Sequence, residues 1–161
     1  MAQTYEPLAT ATSSGSSATI SFTSIPATYT DLYIVVNGTV ANANNTMLMQ
    51  YNSDTAANYS STVLSGDGST TESFRGTSTS DMYCGRISTT QSTNIIQIQN
   101  YANTTTYKTF ISRGNNTAAR VSAFVGTWRN TAAITTVTLS FNGAGSFASG
   151  TTATIYGIKA A

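Results

Sequence analysis

A chain of 161 residues and 16.8 kDa has the length of one domain, and with a formal net charge of +1 and only 8% charged residues it carries no basic stripe of the kind that neutralises nucleic-acid phosphates. The absence of His removes Ser-His-Asp and Cys-His nucleophiles and His-ligated zinc, and no apolar run approaches the length of a bilayer-spanning helix. Thr and Ser together supply 52 of 161 residues and aromatics 10%, which favours β-sheet with hydroxyl-bearing outer faces over a disordered chain.

In chain order, residues 1–17 read as a flexible arm ending in the polar run Thr12 to Ser17, and residues 18–161 as a single domain. Ala18 to Thr23 alternates strictly, with Ile20 and Phe22 on one face, and Pro26 closes that strand. Asp31 to Asn37 is apolar on both parities, the pattern of a central strand covered on both faces, and Asn37-Gly38 begins a turn. Thr46 to Tyr51 forms a third strand, a stretch from Tyr59 to Leu64 a fourth, and Ser65 to Gly68 a turn. Ser69 to Ser80 has few apolar anchors and reads as a long exposed loop. Strand character resumes at Met82 to Cys84, Asn94 to Gln99 and Tyr107 to Arg113, and Gly114 to Thr117 turns the chain. Val121 to Trp128, Ile134 to Phe141 and Ala153 to Ile158 complete the set. Eight or nine strands without a helical stripe point to an all-β, antiparallel β-sandwich of jelly-roll type.

Little in this chain offers catalytic chemistry. Cys84 is the one cysteine, reads as a small buried hydrophobe, and can form no intrachain disulfide. Paired carboxylates are the remaining enzymatic option, and Asp54, Glu72 and Asp81 are the acids placed in loops. Asn52, Asp54 and Asn58 supply oxygens suited to calcium, although a loop satisfying its own backbone explains them equally. The expectation is no enzyme activity, no cofactor and no metal. Glycan or subunit contact is the role open to the aromatics, with Tyr59, Tyr101 and Tyr107 expected to be exposed and Trp128 with Arg129 as further candidates. Met1 to Pro7 has neither the basic nor the apolar region of a secretory leader.

Five stretches resemble a family of small tailed-phage virion proteins common in phages of cyanobacteria and other aquatic bacteria. They are Ser24 to Leu32, Tyr51 to Tyr59, Asn100 to Asn103 with Tyr107 to Thr109, Gly126 to Ile134, and Ile155 to Ile158. The resemblance implies a β-sandwich displayed on a virion, assembled in the host cytoplasm and released by lysis, with no catalytic residues to carry over. The leading expectation is a capsid decoration or cement protein. It would contact other virion proteins, of capsid or tail, as a homo-oligomer, with a trimer expected. The alternative is a tail-fibre or receptor-binding tip that grips host-surface glycans, with neither nucleic acid nor membrane as partner.

Overall fold

The structure, a computed structural model, describes residues 4–42, 45–116 and 120–159. Its twelve strands are β1 (Tyr5–Thr12), β2 (Ile20–Phe22), β3 (Asp31–Gly38), β4 (Asn45–Tyr51), β5 (Tyr59–Gly66), β6 (Thr71–Thr79), β7 (Met82–Ile87), β8 (Ser92–Gln99), β9 (Lys108–Asn116), β10 (Arg120–Trp128), β11 (Val137–Phe141) and β12 (Thr152–Ile158). They form an eight-stranded sheet, β1-β12-β3-β8-β9-β10-β5-β6, and a four-stranded sheet, β2-β11-β4-β7, with antiparallel pairing throughout.

Setting aside β5, β6, β9 and β10 leaves two four-stranded sheets, β1-β12-β3-β8 and β2-β11-β4-β7. That interleaving is the jelly-roll order. The β5–β6 hairpin is inserted after β4 and the β9–β10 hairpin after β8, and together they widen the large sheet into a wing. Period-2 alternation drives each strand into its sheet. On the large sheet Leu32, Ile34, Ile96, Ile98, Phe110, Phe124, Val63 and Ile155 face inward, against Phe22, Met47, Met49, Val137 and Leu139 of the small sheet.

The structure departs from the sequence reading in five places. Twelve strands replace the expected eight or nine. Residues 5–12 of the expected arm are β1, an edge strand paired with β12, in which Pro7 sits beside a register shift where a missing donor does least harm. The expected loop at Ser69 to Ser80 is largely β6, held by its ladder to β5 with Phe74 as its one inward aromatic. Gly114 to Asn116 belong to β9 instead of a turn, and Thr117 lies outside the described residues. In β3 only one face is buried; Tyr33 and Val35 on the other are half-buried and point outward.

The free edge of the small sheet is closed by side chains. The Tyr83 amide of β7 donates to Ser61 Oγ (3.1 Å), and Ser112 Oγ donates to the Cys84 carbonyl (2.5 Å). Asn94 imitates a neighbouring strand: its Oδ1 accepts from the Arg86 amide (3.0 Å) and its Nδ2 donates to the Arg86 carbonyl (2.6 Å). These buried polar groups reach from the large sheet to an edge that would otherwise be left unpaired. Gly85 and Gly114 make room for them, since a Cβ at Gly114 would lie 1.9 Å from Asn94 Oδ1 and one at Gly85 2.7 Å from it. Cys84 is fully buried beside this seam, as expected, and burial pushes its thiol pKa well above the ordinary range.

Candidate functional site

Two of the three tyrosines expected to be exposed are buried. Tyr59 stacks on Trp128 with ring centroids 6.2 Å apart, and Tyr51 meets Trp128 edge-on at 5.5 Å. The Tyr59 hydroxyl accepts from the Tyr51 amide and donates to the carbonyls of Tyr51 or Asp54, and burial raises its pKa to about 12. Tyr101 is buried with its hydroxyl on the Pro26 carbonyl. Their polar sequence neighbours concealed this, because those neighbours are loop residues wrapped around the rings. Trp128 is also core, so neither it, Tyr59 nor Tyr101 offers a face to a ligand.

Asp54 is engaged by its own loop and by Trp128. Asp54 Oδ2 accepts from Trp128 Nε1 (2.7 Å) and Asn58 Nδ2 (2.9 Å), and its Oδ1 accepts from the Ala56 amide (2.9 Å). The Asn58 bond, followed by those from Trp128 and Ala56, holds the Asp54 carboxyl below its usual range. Asn52 turns elsewhere, its Oδ1 accepting from the amides of Thr135 and Thr136. Glu72 is ion-paired with Arg86 and Arg120, and stands near the opposite end of β6 from Thr79 and the adjoining Asp81, roughly 20 Å along the strand. Among the described residues no three His, Cys, Asp or Glu side chains cluster as metal ligands.

What remains accessible lies on the outward face of the large sheet. Leu64, Ile111, Val121 and Val125 are 48–67% exposed, all on the wing, and the strand registers place them beside Ala123, Ile95, Val35 and Tyr33. Across this face the registers run in rows. Val121 is in one row; Ala123, Leu64, Arg113, Ile95 and Val35 form the next; Val125, Ile111, Gln97 and Tyr33 form a third. Of the acids at outward positions of the described strands, only Asp31 appears, at the far end of β3, where it accepts from the Asn100 amide.

Beyond the third row the face changes character. Ser60, Thr62, Thr77, Thr109 and Thr127 line an open trough of about 460 Å³ over Val125 and Gly126, with Arg75 and Arg129 on its walls. Arg129 is fixed by Nη1 donating to Ser60 Oγ (2.6 Å) and Nη2 donating to the Ala57 carbonyl (2.7 Å), and Arg75 Nε donates to Thr77 Oγ1 (2.8 Å). Tyr107, 58% exposed, immediately precedes β9. Of the five candidate contact residues, then, Arg129 lines the trough, and Tyr107 is exposed. The other two sequence signals of that site, the threonines and Arg75, carry no motif and were not singled out.

The cations sort by face. Arg86 and Arg120 pair with Glu72, and Lys159 with Glu6, whereas Arg75, Arg113 and Arg129 on the outward face have no ion-pair partner among the described residues. Lys108 is buried, with Nζ donating to the carbonyls of Thr106 and Thr131, and burial lowers its pKa.

No protein-family model matches the chain, and no curated protein does. A solved structure of a protein of unknown function from Shewanella oneidensis MR-1 aligns with it at 9% identity, covering 98% of this chain and 77% of that one, with a TM-score of 0.25.

Proposed function

We propose that this chain is a structural protein of a tailed-phage particle, a capsid decoration or cement subunit that turns the apolar half of its large sheet toward a neighbouring virion protein. The observation that supports it is the gathering of Leu64, Ile111, Val121 and Val125 on one face, where a monomer would scatter such residues singly. The three rows cross five strands, about 24 Å by about 20 Å, or about 480 Å², somewhat over half of the roughly 800 Å² per partner of a stable interface. Docking there proceeds by apolar burial, since the face has few charges to pair. The sequence resemblance adds the virion setting, trimeric assembly, and release from the host at lysis. The jelly roll is shared by capsid and lectin domains and supports the reading by analogy. The role is non-catalytic.

Mass-spectrometric quantification in purified particles tests it: a ratio to the major capsid protein near one is expected, and a ratio below a tenth overturns the cement role. A second reading, a tail-fibre or receptor-binding tip that grips host glycans, is favoured by the trough that gathers Arg75 and Arg129 with threonine hydroxyls.

A further inference from the structure

We infer that the trough on the wing binds carboxylate-bearing saccharides, with Arg75 and Arg129 as the carboxylate-recognising pair. The inference rests on the second reading above and specifies its ligand.

The two guanidinium groups are brought together by sheet register. Ser60 of β5 and Thr77 of β6 are directly opposed in the ladder. Arg129 is tethered to Ser60 and Arg75 to Thr77. Opposed residues in a ladder place their Cβ atoms about 5 Å apart, so the two like charges are anchored to neighbouring hydroxyls. No acid among the described residues pairs with either. Two guanidiniums held side by side without a counter-ion repel each other, and a carboxylate entering between them relieves that repulsion while accepting bidentate hydrogen bonds.

The remainder of the lining suits a sugar better than an acidic peptide. Thr62, Thr109 and Thr127 present hydroxyls; Thr127 Oγ1 donates to the Lys108 carbonyl (3.1 Å) and Thr109 Oγ1 to Gln99 Oε1 (3.4 Å), which leaves their oxygens to accept from sugar hydroxyl groups. Val125 supplies an apolar floor against which a pyranose face can pack. The site is open, which fits one or two residues of a longer polysaccharide.

Titration by heteronuclear NMR of the full chain with three probes tests this. They are oligogalacturonate, the same oligomer with its carboxyls reduced to alcohols, and polyglutamate of similar length. The expected result is binding of oligogalacturonate at least tenfold tighter than either of the others, with shifts at Thr62, Thr109 and Thr127. Arg75→Gln, at an exposed position, is expected to weaken it at least tenfold without changing the rest of the spectrum. Equal binding of the reduced oligomer overturns the carboxylate assignment and leaves glycan binding standing. Equal binding of polyglutamate overturns the saccharide assignment. Failure of both sugars to bind overturns the inference and the glycan reading together, as does binding that Arg75→Gln leaves unchanged while shifts appear elsewhere.

Discussion

Replacing Asn94 by Ala should open the seam between the two sheets. The side chain supplies both partners of the Arg86 backbone, one bond at 3.0 Å and one at 2.6 Å, and it is fully buried. Removing it leaves an amide and a carbonyl without partners, at about 1–3 kcal/mol each when water is excluded. Arg86 is only half-buried, so partial hydration brings the expected loss to about 2–4 kcal/mol. For a domain of this size that lowers Tm by roughly 6–12 °C. Gly114→Ala provides the partner measurement, because its Cβ would lie 1.9 Å from Asn94 Oδ1 in the parent but meets no such atom once residue 94 is Ala. In a double-mutant cycle followed by urea denaturation, Gly114→Ala should therefore cost at least about 1 kcal/mol less in the Asn94→Ala background. An Asn94→Ala loss below about 0.5 kcal/mol, or costs that simply add, would refute the seam as described.

Asp54→Ala should leave Trp128 Nε1 and Asn58 without their acceptor, costing about 1–3 kcal/mol and shifting Trp128 fluorescence; the depressed Asp54 pKa means that the wild-type advantage is full above the usual carboxylate range and lost as pH falls below it through the depressed folded value. At the alkaline end, Tyr59 is held neutral to about pH 12 by burial while its unfolded counterpart ionises near 10, so stability should be full below pH 10 and fall by roughly 2–3 kcal/mol as pH rises to about 12, with buried Tyr51 and Cys84 acting in the same direction. Equilibrium unfolding at stepped pH reads this, and a flat profile from pH 9 to 12 would contradict it. Val121→Lys and Val125→Lys, on the outward face, should change stability by no more than about 0.5 kcal/mol yet abolish attachment of the recombinant chain to particles lacking it, read by co-sedimentation.

Much of the sandwich is visible in periodicity. Ile96 and Ile98, or Val137, Leu139 and Phe141, alternate with polar residues and occupy the core positions that alternation implies. The two edge strands of the large sheet were not legible, for one reason. Of β1 and β6, the first turns only Leu8 and Ala11 toward the core and the second only Phe74, so their stability comes from ladder hydrogen bonds that leave no trace in side-chain pattern. Strand β3 misled in the opposite sense: Tyr33 and Val35 suggested burial on two faces but belong to the outward surface. Arg129 of the candidate site and the exposed Tyr107 were legible in the sequence. Arg75 was not, since only the β5–β6 register carries it to Arg129. Polar neighbours in sequence also failed to reveal that Tyr59 and Tyr101 fill the core.

The most direct test of the central claim is hydroxyl-radical footprinting of the chain, free and on intact particles. The account requires Leu64, Ile111, Val121 and Val125 to be oxidised in the free chain and protected on the particle, while Tyr107 beyond the apolar rows stays reactive. Unchanged oxidation of those four residues on the particle, with protection appearing on the small sheet instead, would contradict it.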